Sequence, residues 1–197
     1  MEAASPAIVW DNPSERDPDR SDDSRHGFVV DEASVGERIV GAGALRGNVL
    51  HKLMEELLGD ELSPTLKAVE GRAAMLVDQL LPFTEAPPSV LPEAAEMAAT
   101  AIRTLALPEL APFLGRLVPE IPLWEARPPA YLAGRADAVV IDGDRIVLVV
   151  DWKSDVSPAP NSQAAHAGQL RDYLRVTGAQ RGAIVYMSSG RVAWVEP

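Results

Sequence analysis

The sequence predicts an α/β fold in which a central mixed β-sheet is flanked by helices and carries an α-helical insert. Three observations predict this fold. The carboxy-terminal half alternates strand-like and helix-like segments, which is typical of a sheet with a crossover helix. Two of the strand-like segments are joined by a hairpin turn signal, which predicts antiparallel neighbours in one sheet. An Ala- and Leu-rich stretch divided by prolines precedes them, and no internal repeat is present.

The composition is that of one folded domain. The chain has 197 residues, of which 47% are hydrophobic and 24% charged, and this length is sufficient to bury a core without disulfides. Cysteine is absent from the sequence, which excludes disulfides, thiol nucleophiles, cysteine zinc sites and cysteine-ligated iron–sulfur clusters. No apolar run approaches the roughly 20 residues that span a bilayer, so we expect no membrane association and a cytoplasmic location.

The formal net charge of −11 argues against nonspecific affinity for nucleic acid. Much of the excess lies in residues 1–38, which hold ten acidic and four basic residues. The Pro- and Asp-rich stretch Asp11–Arg25 predicts a flexible acidic linker, and Ala7–Trp10 before it has the pattern of a strand remnant. We therefore place the folded domain at residues 39–197. It has no Lys/Arg-rich stripe, so a nucleic-acid role must depend on a local site or on a partner.

The first part of this domain is predicted to be helical. Apolar residues recur at helical spacing over Arg46–Leu58, and Gly59 is expected to end this helix. Residues 60–115 are rich in Ala and Leu but are divided by prolines, which predicts two or three short helices. The clearest of them is Glu93–Leu105. We interpret residues 60–115 as a helical insert.

The remainder is predicted to consist of strands and one helix. The helix runs from about Ser162 to Thr177 and ends near Gly178. Turn signals, Asp142-Gly143-Asp144 and Ser188-Ser189-Gly190, separate the second strand from the third and the fourth from the fifth. The predicted strands are Glu120–Glu125, Tyr131–Ile141, Ile146–Trp152, Gly182–Met187 and Val192–Val195.

An acid and a base lie two residues apart at the end of the third predicted strand. Period-two alternation puts Asp151 and Lys153 on one face, and the hairpin brings Asp137 of the neighbouring strand close to them. Two close carboxylates repel unless a cation neutralises them, and hard oxygen ligands suit Mg²⁺ or Mn²⁺. Lys153 would then stabilise the developing charge on a phosphoryl group or lower the pKa of an attacking water. The alternative is an ordinary salt bridge among these three side chains.

Four more residues are candidates for the same site. His51, on the first helix, could ligate the metal or orient its water. Gln169 and Tyr173 lie four apart on one face of the later helix and could both reach a phosphate or a base. Glu120, at the start of the first strand, could be a third acid. The structural alternatives are a packing histidine for His51, a helix that packs its tyrosine on the sheet for Gln169 and Tyr173, and a solvated glutamate for Glu120.

Five motifs follow one another in the chain: RGNVLH (46–51), EIP (120–122), GRADAVV (134–140), VVDWKSD (149–155) and QLRDY (169–173). In this order they resemble the RecB-like nuclease domain of the PD-(D/E)XK superfamily, whose fold is restriction-endonuclease-like. They are most similar to the C-terminal nuclease domain of AddA-type helicase-nuclease subunits of the UvrD/Rep helicase family. The resemblance covers residues 39–195, and Ile8–Pro13 is similar to the strand that precedes this nuclease in AddA. Ala136 stands where a branched apolar residue is more usual, a departure that concerns packing.

The resemblance implies a site as well as a fold. The metal, Mg²⁺ or Mn²⁺, would be held by His51, Asp137 and Asp151 together with a main-chain carbonyl near Trp152. The other residues that the resemblance assigns to the site are Lys153 as the catalytic cation, Gln169 and Tyr173 as supporting residues, and Glu120 as a further acid.

The implied activity is that of a Mg²⁺-dependent deoxyribonuclease, with exonuclease action expected. It would hydrolyse phosphodiester bonds at single-stranded or unwound DNA ends in recombinational double-strand break repair. The chain has no GKT or GKS phosphate loop and therefore no ATP site, so it is not the helicase motor itself. The missing cysteines exclude the AddB-type branch, which clamps an iron–sulfur cluster, but leave an AddB-type or helicase subunit as an expected partner.

Two alternatives stay open at this point. One is a catalytically silent or truncated nuclease-like domain that docks to a helicase or another repair partner. The other is a metal-dependent hydrolase of a small phosphorylated molecule, for which the sequence offers no phosphate-binding Gly-rich loop.

Overall fold

The computed structural model describes residues 9–11, 43–83, 91–127 and 130–197. These ranges form six strands and four α-helices, and most of the predicted linker lies outside them. Short 3₁₀ turns cover Leu81–Phe83 and Leu114–Arg116. The elements, in chain order, are β1 (Val9–Asp11), α1 (Ala44–Leu58), α2 (Leu66–Leu80), α3 (Ala94–Leu105), β2 (Leu117–Arg127), β3 (Ala130–Asp142), β4 (Arg145–Lys153), α4 (Pro160–Thr177), β5 (Gly182–Tyr186) and β6 (Arg191–Val195).

The strands form one mixed sheet, as predicted. Its order is β1-β3-β4-β5-β6, and β2 pairs with β3. Two strand pairs are parallel, β1 with β3 and β4 with β5. Three pairs are antiparallel: β2 with β3, β3 with β4, and β5 with β6. Because parallel neighbours need a crossover connection, α4 links β4 to β5. Of the described helices, none is both long and apolar enough to span a membrane.

Two apolar clusters lie against the sheet, and each belongs to different helices. Helices α1, α2 and α3 pack on residues of β3 and β4 such as Ala138, Val150 and Trp152. Helix α4 packs through Leu170 and Tyr173 on a second cluster that includes Val139 and Val149. Because helices cover both faces of the sheet, β4 is buried without interruption from Leu148 to Lys153, on one face and the other in turn.

Most predicted element boundaries are confirmed within a few residues. The first helix, the last helix and the helical character of the insert are all present. Gly178 ends α4 in the left-handed conformation, and Gly143 adopts a positive φ of 62° in the β3–β4 turn, as the turn signals indicated. β2 is longer than predicted because it pairs with β3 from Leu117 to Arg127, except at Glu120. The amino-terminal strand begins at Val9 in the described part, and the predicted Ala7 and Ile8 lie outside it.

A β-bulge sets the register of β3 against β4. Near the turn Ile141 pairs with Ile146, but further along Val140 pairs with Leu148, so β4 contains one extra residue. Beyond the bulge Ala138 is opposite Val150. Since a slip of one residue exchanges the two faces of a strand, this bulge decides what lies level with Asp137. The residue that follows Val150, at that level, is Asp151.

The β2–β3 ladder is interrupted between Glu120 and Asp137. Pro119 pairs with Ala138 and Ile121 with Ala136, but the intervening pair is not formed. Glu120 has a positive φ of 58°, which few residues other than glycine adopt. Ala138 packs in the cluster beneath α1, whereas Ala136, two residues earlier, packs in the cluster beneath α4. Residues two apart in a regular strand share a face, so β3 changes face at Asp137.

Candidate active site

Asp151 and Lys153 lie together at the end of β4, as their spacing predicted. Lys153 Nζ is 3.2 Å from Asp151 Oδ2, and the two side chains are only 10% and 6% exposed. β4 is an inner strand that pairs with β3 as far as Val150 and with β5 as far as Lys153. Because little solvent screens this pair, the attraction between its charges is stronger than at a surface.

Asp137 joins the sheet to α1. Its Oδ2 accepts a hydrogen bond of 2.8 Å from the backbone N–H of Trp152, which fixes the carboxylate against β4. Its Oδ1 lies 3.2 Å from Nδ1 of His51. The side chains of His51 and Asp137 are 24% and 14% exposed, so this contact is at the border between the core and the solvent.

Helix α4 adds two polar side chains behind the lysine. Lys153 Nζ donates to Gln169 Oε1 at 3.1 Å, and Gln169 Nε2 donates to the hydroxyl of Tyr173 at 3.5 Å. Gln169 and Tyr173 are both buried, and their spacing of four residues places them on one face of the helix. Gly134 lies directly opposite, because a Cβ at that position would be 2.8 Å from the Tyr173 ring.

The carboxylates of the buried Asp151 and the partly buried Asp137 have opposite pKa shifts. Burial raises the pKa of Asp151 above the usual aspartate range; Lys153 opposes this shift, and the charge of Asp137 adds to it. Burial also acts to raise the pKa of Asp137, but His51, Lys153 and the Trp152 N–H together outweigh it and lower the pKa. Such a pair of acids, driven apart in pKa by its surroundings, is characteristic of functional sites.

Glu120 lies at the edge of the same group. Its carboxylate forms an ion pair with Arg135 of β3, and its side chain is 17% exposed. The pKa of Glu120 is raised, mainly by burial. The charge of Arg135 opposes this shift, and the charges of Asp137 and Glu55 add to it. Glu120, with its positive φ, lies where the hydrogen-bonded ladder between β2 and β3 is interrupted, opposite Asp137.

A cleft of about 590 Å³ opens beside Asp137 and His51, between α1, α2 and the β2–β3 ladder. It has three cationic side chains, Lys52, Arg72 and Arg135, and three acidic ones, Glu55, Glu120 and Asp137. The formal charge of its lining is therefore balanced, unlike that of the whole chain. Its other lining residues are Asn48, His51, Leu76, Gln79, Leu80 and Gly134.

A family model described as the PD-(D/E)XK nuclease superfamily matches residues 32–195. The chain belongs to this superfamily. The observed mixed sheet with flanking helices is consistent with the fold of the PD-(D/E)XK nucleases, as the sequence predicted. Membership implies nuclease activity and DNA binding.

Comparison with individual proteins adds less. No curated protein matches the chain. Among solved structures, the crystal structure of SSO0001 is similar, with 20% sequence identity and a TM-score of 0.37. The similarity covers 78% of this chain and 77% of that chain.

A buried arginine next to the site was not predicted to have a role. Arg46, 2% exposed, donates to both carboxylate oxygens of Glu96 at 3.0 and 2.8 Å and to the carbonyl of Ser154 at 2.8 Å. Ser188 Oγ donates to the same carbonyl. Arg46 therefore joins the helical insert to the residue that follows Lys153. The position of Arg46 in the RGNVLH motif was the only sequence feature that pointed to a role. Its partners could not be predicted, because Glu96 and Ser154 are 50 and 108 residues away in the chain.

PD-(D/E)XK nucleases typically use divalent metal ions, and the donor set here fits such an ion chemically. The imidazole of His51 contacts the carboxylate of Asp137, and the buried Asp151 Oδ2 on the next strand has an ion pair with Lys153 as its only contact shown in the described residues. In this structure the donor atoms are engaged with neighbouring side chains, because His51 contacts Asp137 and Lys153 contacts Asp151. In the described part of the chain, no three His, Cys, Asp or Glu side chains are arranged as a metal-binding cluster.

Proposed function

We propose that this chain is a metal-dependent DNA nuclease that hydrolyses phosphodiester bonds as an exonuclease. Its substrate would be single-stranded or unwound DNA ends in recombinational double-strand break repair. Membership of the PD-(D/E)XK superfamily supports the reaction class. The observation that carries the proposal is the pair of carboxylates on adjacent strands, the partly buried Asp137 and the buried Asp151, with Lys153 in contact with the second.

His51, Asp137 and Asp151 are the residues that we propose hold the metal, Mg²⁺ with Mn²⁺ as a substitute. When bound, such an ion polarises a phosphate and lowers the pKa of a water. The raised pKa of Asp151 supports this assignment, since a cation would stabilise the charged form that burial and Asp137 disfavour. Glu120 would be an additional acid at the border of the cleft.

Lys153 would place a positive charge beside the reacting phosphate. Its contacts with Asp151 and Gln169 hold the ammonium between β4 and α4, so little reorganisation is needed when negative charge develops. Gln169 is in turn held by Tyr173, and we assign both the role of positioning Lys153. These are the roles that the resemblance to RecB-like nucleases implies for the three residues.

The cleft supports single-stranded rather than duplex substrate. Its volume of about 590 Å³ is that of a pocket for a small ligand, so it suits one or two nucleotides. Its balanced charge makes it less repulsive to phosphate than the rest of an acidic protein. We further propose that the nuclease domain is residues 39–197, that it is of the AddA type, and that it acts in the cytoplasm with a helicase or AddB-type subunit.

A cleavage assay tests the proposed function. Labelled single- and double-stranded DNA is incubated with the protein in Mg²⁺, in Mn²⁺ and in EDTA. We expect Mg²⁺-dependent release of nucleotides from single-stranded DNA, lost in EDTA and in Asp151→Asn. The matched control is Asp144→Asn in the exposed β3–β4 turn, which should cleave as the wild type does.

Cleavage at the wild-type rate by Asp151→Asn, or no cleavage by the wild type, would overturn the assignment. Capture of a helicase subunit by a chain without nuclease activity would instead favour the silent docking domain. Hydrolysis of a small phosphorylated compound that single-stranded DNA does not compete with would favour the third alternative.

A further inference from the structure

The most exposed large apolar side chain of the described residues is Trp124 on β2, which is 76% exposed. Its neighbour Leu123 is buried in the cluster beneath α4. Because strand side chains alternate, Trp124 points to the opposite face, which is the side of α1 and the cleft. Pro122 and Ala126, which share this face with it, are also exposed. An indole in water at this position has no role in the core.

Trp124 lies on the same pair of strands as the proposed site. It pairs with Ala133 of β3, and Asp137 is four residues further along that strand. At about 3.3 Å per residue, the two positions are about 13 Å apart along the strand. Arg135 lies between them and lines the cleft, and its side chain is 64% exposed although its Nε pairs with Glu120. The face that leads from Trp124 to the cleft therefore offers an aromatic ring and then a guanidinium.

We propose that Trp124 and Arg135 form a binding subsite for single-stranded nucleic acid outside the cleft. A base would stack on the indole of Trp124, and the guanidinium of Arg135 would contact the phosphates between that base and the cleft. Stacking on aromatic rings combined with cationic side chains is the general means of holding single strands without reading their sequence. The inference rests on the proposed nuclease function and specifies where the strand lies outside the site.

The chemistry of this face favours a nucleic acid over a protein. Of the β2 residues whose side chains are described, Pro122 and Ala126 share this face with Trp124 and are small, so these three residues expose one large apolar ring. Continuity with the cleft also favours a strand, because Arg135 belongs to both surfaces. A strand about 13 Å long reaches from the ring to Asp137, which corresponds to about four stacked nucleotides at 3.4 Å each.

Binding can be measured without cleavage. Fluorescence anisotropy in EDTA is recorded for labelled oligothymidylates of about 2 and about 20 nucleotides, lengths below and above the span of the subsite. The variants are Trp124→Ala, Trp124→Phe and, as a matched control, Met75→Ala on α2, whose side chain is 55% exposed. Thermal unfolding of each variant is recorded in parallel.

We expect Trp124→Ala to weaken binding of the long oligonucleotide by about 5- to 150-fold, the factor for one stacked base. Binding of the short one should not change, Trp124→Phe should retain most of the affinity, and Met75→Ala should bind as the wild type. Equal affinity of wild type and Trp124→Ala for the long oligonucleotide would overturn the subsite. So would equal losses for both lengths, or a wild-type dimer that Trp124→Ala converts to a monomer without any change in DNA binding.

The outcomes separate this inference from the nuclease proposal. If binding depends on Trp124 but the protein does not cleave DNA, the subsite is supported and the nuclease assignment is contradicted. Metal-dependent cleavage with binding independent of Trp124 would remove the subsite alone.

Discussion

Gly134 and Tyr173 approach each other so closely that no larger residue than glycine fits between β3 and α4 at this point. A Cβ at position 134 would be 2.8 Å from Cε1 and 2.9 Å from the hydroxyl of Tyr173. Tyr173 is 1% exposed and is the last member of the chain of contacts from Asp151 through Lys153 and Gln169. The backbone of β3 thus forms the wall against which this chain is held.

Gly134→Ala should therefore reduce both stability and nuclease activity. The methyl group would displace Tyr173 or β3, at a cost of about 1 to 3 kcal/mol in the free energy of unfolding. Loss of the Gln169 contact should lower the cleavage rate about tenfold or more. Urea denaturation and the rate of single-strand cleavage are the measurements.

Gly168→Ala on α4 is the matched control. Nothing lies within 4 Å of a Cβ at this exposed position in a helix interior, so the variant should gain about 0.5 to 1 kcal/mol. Unchanged activity and stability of Gly134→Ala would show that β3 and α4 adjust without cost and that Tyr173 positions nothing.

Lys153→Met should lower kcat by about 100-fold or more. It removes the positive charge that we assign to the phosphate and leaves the buried carboxylate of Asp151 without its ion-pair partner. The initial rate of single-strand cleavage at saturating substrate measures this effect. Lys67→Met, on the exposed side of α2, should cleave like the wild type, and a similar loss in both variants would contradict the role given to Lys153.

Metal binding should be visible in the stability of the protein as well as in its activity. An ion that binds only the folded chain raises the free energy of unfolding, by about 2.7 kcal/mol at one hundred times its dissociation constant. Calorimetric melting in EDTA and at increasing Mg²⁺ or Mn²⁺ should show this rise for the wild type and not for Asp137→Asn. An equal rise in Asp137→Asn would place the bound ion elsewhere.

The Arg46–Glu96 pair should make stability depend on pH in the acid range. Burial acts to raise the pKa of Glu96, but hydrogen bonds from Arg46 and Thr100 outweigh it, and the pKa is lowered. A carboxylate with a lowered pKa in the folded state stabilises the protein above its unfolded pKa of 4.5 and loses this effect as the pH falls through the folded value.

Glu96→Gln should therefore be less stable than the wild type near pH 7, by about 3 kcal/mol, because it leaves Arg46 buried with a neutral partner. The difference should shrink below about pH 4.5. Urea denaturation between pH 3 and pH 7, at roughly unit steps, measures it. Glu109→Gln, at an exposed position, is the control, and a difference between Glu96→Gln and wild type that does not vary with pH would contradict the role of the ion pair.

The sequence carried enough information for most of the elements and for the proximity of Asp151 and Lys153. Periodicity and turn signals depend on neighbouring residues, so α1, α4, the β3–β4 hairpin and the two later strands were predictable. The spacing of Asp151 and Lys153 predicted that both side chains lie on one face of β4, and the contact between them in the structure agrees. The five ordered motifs also pointed to the superfamily whose model matches residues 32–195.

Register and long-range packing were decided by the tertiary structure. The extra residue of β4 brings Asp151 level with Asp137, and a regular hairpin would have placed Val150 there instead. β3 also changes face at Asp137, opposite Glu120. Two further contacts join residues that are distant in sequence, that of Arg46 with Ser154 and that of Tyr173 with Gly134. Local periodicity determines the element that a residue belongs to, but it contains no information about which distant side chain will fill the space opposite.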